Sequence, residues 1–249
     1  MSPRPMSPYS GVMVFAGPSL PPDARPRDLP FVWRGPAQAG DALDLLNEPG
    51  VGVVVLIDGL FDSCPAIRHK ELLMLIGAGV RVIGGASMGA LRACELRSFG
   101  MEGVGQVYRA YVRGQLTGDD EVALLHGPAE AGWNGLTEPL VNVRATLVDA
   151  VRRGAIGLEA ARRLRAAAAA IHFSERTWDA VLGASGSGLE AFRSWLPGGR
   201  VDVKRQDALL CLEAALIPGV ARIAGPPPAT IFTEALVRLR PQSKAQASI

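Results

Sequence analysis

"RVIGGASMGALRACEL", residues 81–96, runs from an apolar, β-branched segment through a glycine pair into a helical pattern. Its first part belongs to "VRVIGG" (80–85), and two similar runs precede it, "VMVFAG" (12–17) and "VGVVVLIDG" (51–59). Continuous apolar runs suit strands buried on both faces, as in a parallel sheet covered by helices. The intervening segments near 37–48 and 65–78 are long enough for crossover helices. After the turn, "MGALRACELRSFG" (88–100) and "VGQVYRAYVRG" (104–114) read as helices that stop at glycine. From about 137 every periodic segment is helical, and glycine, serine or proline separates each from the next. The expected fold is therefore α/β, with a mostly parallel sheet in the N-terminal half and a helical C-terminal half. The expected organisation is a disordered stretch at 1–10, an α/β core over 11–135, a helical bundle or cap over 136–240 and a flexible tail over 241–249.

Of 249 residues, 48% are hydrophobic and 20% charged, a balance that supports a buried core and argues against global disorder. The formal net charge of +2 supplies no electrostatic case for nucleic acid or a membrane surface. Cys64, Cys94 and Cys211 show neither a C-x-x-C pair nor metal-ligand spacing, so no disulfide frame, structural metal or cofactor is expected. The opening residues carry no apolar signal region, and no run is long enough to span a bilayer. A soluble cytoplasmic protein is expected. Arginine supplies 23 of the 26 basic residues, leaving Lys70, Lys204 and Lys244 as the lysines. Lysine can give up its proton within a protein and arginine effectively cannot, so each lysine is worth placing.

Gly85-Ala86-Ser87-Met88-Gly89 is a G-x-S-x-G sequence at a strand-to-helix junction, a setting that holds a serine hydroxyl out on a sharp turn. Glycine on both sides lets a substrate approach closely. The Met88 N–H and the helix N-terminus would face an oxyanion. The alternative is a serine that caps its helix. A nucleophile needs a base, and His69 and Lys70 lie in the early turns of a helix that Ser63 or Pro65 could start. The helix N-terminus and burial both lower a lysine's pKa. The alternative for Lys70 is a solvated helix-surface residue. Gly17-Pro18-Ser19 ends the first strand and could donate a second amide to the oxyanion, or form a simple turn. Asp58 closes the second strand at the same sheet edge. His126, preceded by Asp119 and Asp120, offers a second base in Ser-Asp-His order. Lys204 and Lys244 lie in the helical half and the tail, and carry little weight from sequence alone.

Several motifs occur together in order: "VFAGPSL" (14–20), "IDG" (57–59), "HKE" (69–71), "GASMGALRACE" (85–95), "FGMEGVGQVYRAY" (99–111), "DDEVALLHGPAE" (119–130) and "VNVRAT" (141–146). In this combination the sequence resembles the TfuA-like family. The resemblance implies a role in peptide thioamidation beside a YcaO enzyme, which uses ATP to activate an amide of a ribosomally made peptide. It further implies hydrolysis of a thiocarboxylated, ubiquitin-like sulfur carrier, and a firmer hold of YcaO on its precursor peptide. A Ser–Lys pair described for the family falls on Ser87 and, within the recognised region, Lys70. Cys94 stands where the family's "GALRAAE" has alanine.

The expected site therefore comprises Ser87 and Lys70 as catalytic residues. The Met88, Gly17 and Ser19 amides are expected at the oxyanion, and Gly85, Gly89, Asp58 and His126 around the substrate, with no metal. Two other functions stay open: a non-catalytic adaptor that recruits precursor peptide or carrier to YcaO, and a small-ester hydrolase using Ser87 with His126.

Overall fold

The computed structural model describes residues 11–61 and 64–218. The expected disordered N-terminus and the tail from 241 lie outside the described residues. One sheet holds five parallel strands: β1 (Val12–Phe15), β2 (Val32–Arg34), β3 (Val53–Leu56), β4 (Arg81–Gly84) and β5 (Glu102–Gly103), in the order β2-β1-β3-β4-β5. Val55 of β3 pairs with Val14 on one side and Ile83 on the other, which makes the most apolar run the central strand. The α/β fold read from the sequence is the fold observed. The edge strands β2 and β5 escaped that reading because they are three and two residues long and lack an apolar run.

Four helices follow the strands: α1 (Asp41–Leu45), α2 (His69–Gly77), α3 (Met88–Leu96) and α4 (Gly105–Val112). Helix α2 begins at His69, later than Ser63 or Pro65. The chain before it is held extended, with the Ala39 N–H bonded to the Pro65 carbonyl and an antiparallel bridge between Gln38 and Ala66. The helical half comprises α5 (Leu140–Arg152), α6 (Leu158–Ala170), α7 (Trp178–Gly183), α8 (Glu190–Gly199) and α9 (Val203–Leu216). No helix among the described residues is long and apolar enough to cross a membrane.

Strand alternation divides the core into two layers. Met13, Phe15, Val54, Leu56 and Val82 meet α1, α2 and α3 on one face. Val12, Val14, Val55, Ile57 and Ile83 meet Ala208, Cys211, Leu212 and Ala215 of α9 on the other. The helical half thus has two roles. Helices α5 to α8 enclose their own core around Val143, Leu164, Trp178 and Phe192, while α9 returns to close the sheet. Asp207 fastens it there, accepting the α4 amides Gln106 N (2.8 Å) and Val107 N (2.7 Å). These are N–H groups that a helix N-terminus leaves without intrahelical partners. Gly105 sits at φ +96°, and a Cβ there would strike the Asp207 carboxylate.

Gly89 packs α3 directly onto β3. Its N–H reaches the Ile57 carbonyl at 3.1 Å, and a Cβ would collide with the Leu56 carbonyl oxygen, which is backbone and has nowhere to yield. Gly89→Ala is expected to cost about 3 kcal/mol or more by forced separation of helix and strand. Urea denaturation checks this through a lowered midpoint; an unchanged midpoint would refute the packing account.

Candidate active site

The carboxyl ends of parallel strands share one edge, and in a 2-1-3-4-5 sheet the connections diverge between β1 and β3, leaving a crevice there. Asp58 stands in that crevice, 2% exposed. Its Oδ2 accepts the Gly17 N–H (2.8 Å) and the Ser19 N–H (3.0 Å), and its Oδ1 accepts the Ser19 hydroxyl (2.6 Å). The Gly17 and Ser19 amides, expected at an oxyanion, are therefore engaged by a carboxylate. They shape the β1 loop instead.

Ser87 lies at the next strand end, where it is the N-cap residue of α3 and is 8% exposed. The turn that presents it is tight. Ser87 N–H donates to the Gly85 carbonyl at 2.7 Å across Ala86, which holds φ +64°, a conformation that costs a residue bearing a Cβ about 1–2 kcal/mol. Strain of this kind persists only where surrounding structure enforces it, and it gathers at functional sites. The Ser87 side chain does not cap the helix, so the capping alternative fails. Its hydroxyl has no hydrogen-bond partner among the described residues and borders a cavity of about 260 Å³.

Three of the cavity's buried wall residues are polar, Ser87, Asp58 and Lys204; Val122 and Ala123 are the buried apolar ones. Apolar groups line the rest, among them Leu125, Phe61 and Phe173, the two rings 5.9 Å apart. Lys204 is 2% exposed, and its Nζ donates to the Val122 carbonyl at 2.7 Å. Burial pushes its pKa below that of an ordinary lysine, opposed by the nearby charges of Asp58 and Asp202. The first turn of α9 is fixed from α5, because Asn142 accepts the Lys204 N–H and donates to Asp202, which caps α9.

Residues 58–177 match a family model described as TfuA-like protein. Over these residues the chain is TfuA-like. No curated protein matches it. The TfuA-like segment spans Asp58, Ser87, His126 and Phe173, whereas Lys204 and the β1 loop lie outside it. At the level of the family, the match supports involvement in peptide thioamidation with a YcaO enzyme.

The structure places the remaining expected residues unequally. Lys70 lies in the first turn of α2, half-buried, and does not line the cavity. Gly85 and Gly89 do not line it either; they are packing glycines, and a Cβ on Gly85 would strike Cys211 of α9. Asp58 and His126 do line it. His126 Nδ1 bonds the Gly127 carbonyl at 2.8 Å, its ring meets Trp133 edge-on at 5.4 Å, and Asp120 lies 3.9 Å from Arg176. No acid orients His126 for Ser-Asp-His chemistry among the described residues. Sequence reasoning passed over Lys204, although a signal existed. Lys204, Ala208, Cys211 and Ala215 fall at i, i+4, i+7 and i+11, which puts a lysine on the apolar stripe of its helix.

Among the described residues no group of three or more His, Cys, Asp or Glu could hold a metal ion. Two amides near the serine, those of Met88 and Gly59, donate to no protein acceptor among the described residues. Gly59 lies on the cavity wall after β3, and a Cβ there would crowd Met88 and the Ala37 carbonyl.

Asp58→Ala leaves the buried Gly17 and Ser19 amides without acceptors. The expected loss is about 2–3 kcal/mol of stability, each unsatisfied buried group costing about 1–3 kcal/mol. Urea denaturation would read it, and wild-type stability would contradict the structural role given to Asp58.

Proposed function

We propose that the chain hydrolyses a thiocarboxylated C-terminal tail of a ubiquitin-like sulfur carrier, with Ser87 as nucleophile and Lys204 as base, releasing sulfide for a partner YcaO enzyme. The observation that carries this reading is the shared cavity of about 260 Å³, where a serine hydroxyl on a strained turn and a buried lysine of lowered pKa are both wall residues. Lys204 takes the role that the sequence assigned to Lys70. The volume is below the range of about 300–1,000 Å³ usual for small-molecule sites, which favours a narrow tail over a bulky ligand.

Neutral Lys204 accepts the Ser87 proton as Oγ attacks the thiocarboxylate carbon. The Met88 N–H, at the start of α3, and the Gly59 N–H hold the oxygen of the tetrahedral adduct. Collapse breaks the C–S bond. The Lys204 ammonium returns its proton to the leaving sulfur, so hydrosulfide departs and an ester on Ser87 is left. Water, deprotonated by the same amine, attacks that ester. A carboxylate tail leaves, and Ser87 regains its proton.

Sulfide release from a thiocarboxylated carrier tests the reading. Ser87→Ala and Lys204→Met are each expected to lower kcat/KM by about 10³-fold or more, in the range of lost nucleophile or general base. Lys204→Arg is expected to fail equally, since arginine retains its proton. Lys70→Ala is expected to change the rate less than threefold. Full activity in the Ser87 and Lys204 variants would leave the adaptor function. Because the amine must be neutral, kcat/KM is expected to rise with pH to a plateau, with a midpoint below that of an ordinary lysine. Asp58→Asn removes a charge that favours the ammonium, so that midpoint should move to lower pH.

A further inference from the structure

A second cavity, of about 1020 Å³, opens between α4, α5 and the first turn of α9. Six arginines line it: Arg109 on α4 and Arg113 just beyond it, Arg144 and Arg152 on α5, Arg153 just beyond that helix, and Arg165 on α6. Asp149 is the one acid on the wall. Arg144 pairs with Glu121 and Arg153 with Asp149, both at 2.6 Å. The other four are exposed and form no ion pair within the described residues. Between them lie Val107, Leu116, Val141 and Val203, all buried, and Val148, which is 60% exposed.

Surfaces ordinarily intersperse opposite charges, and gathered guanidiniums raise the local potential for an anionic ligand. Carboxylates are met bidentately by such a set, while the apolar floor gains from side chains of a peptide. The chain's own C-terminal residues 219–249 carry four basic residues and one acid, which is the wrong charge. A second copy, with net charge +2, offers no acidic complement as a whole. Single-stranded nucleic acid binds on aromatic platforms, and the cleft lining contains no aromatic residue. We propose that this cleft docks an acidic peptide segment of a partner protein, its carboxylates on Arg109, Arg113, Arg152 and Arg165 and its apolar side chains on the valine floor. This inference does not rest on the Ser87 chemistry.

Fluorescence anisotropy of the full chain with a labelled dodecapeptide of alternating Glu and Leu tests it. Saturable binding is expected, weakened about tenfold between 50 and 300 mM salt through screening of exposed charges. Arg109→Glu/Arg113→Glu and Arg152→Glu/Arg165→Glu should each weaken it at least tenfold, and Val148→Asp at least threefold. The matched control Arg162→Glu/Arg163→Glu, which makes the same charge change on α6 outside the lining, should change it less than twofold, with circular dichroism unchanged throughout. Equal losses in control and cleft variants would overturn the proposal. So would binding as tight by an oligonucleotide of equal charge, which would reassign the cleft to polyanions without regard to its apolar floor.

Discussion

One buried carboxylate organises the carboxyl edge of the sheet. Asp58 accepts two backbone amides and one hydroxyl from the β1 loop, so it fixes the loop after one strand from the end of its neighbour. Its charge also favours the ammonium form of buried Lys204, against the desolvation that disfavours it. A lone buried lysine and a lone buried aspartate would each be costly; a carboxylate saturated with donors and a lysine bonded to a carbonyl make the pair tolerable. The same arrangement excludes the Gly17 and Ser19 amides from oxyanion duty. Amides that already satisfy a buried charge are not available to a transient one.

The second constraint is close approach. Gly89 brings α3 onto the β3 backbone, Gly85 brings the turn onto Cys211 of α9, and Gly105 admits the Asp207 carboxylate that caps α4. The last two contacts hold α9 across the sheet, although it follows the whole helical bundle in sequence. The seat of α9 then determines where Lys204 points. The glycines flanking Ser87 therefore serve the site through packing: Gly85 lets a distant helix lie beside the turn, Gly89 seats α3 on β3, and Ala86 bears the strain of the turn itself.

Much of this was legible before the fold. The three apolar runs became β1, β3 and β4, and the strand-turn-helix around Ser87 lies where its residues placed it. The short edge strands were not legible, because two or three residues pairing on one side need no apolar run. Lys70 drew attention through its helix-start position and its neighbourhood in sequence, but 65–66 is tied to 38–39, and α2 starts later than those residues suggest. Lys204 is far from Ser87 in sequence, and only the periodicity of its helix signals it. A helix stripe that is apolar at three positions and lysine at the fourth signals a cation in a core, and burial makes such a cation chemically different from one in water.

The TfuA-like match ends at Thr177, while the cavity closes only with Lys204, contributed by a helix beyond that boundary. The segment that bears the family likeness thus supplies the serine, the turn and Asp58, and a helix outside it supplies the amine. Across such a division the position of the amine depends on how rigidly α9 is held. Asn142 on α5, Asp202 at the helix cap and Asp207 against α4 supply that rigidity from three directions. One of them, Asn142, lies within the TfuA-like segment. The matched segment therefore reaches across its own boundary and orients the residue that completes the cavity.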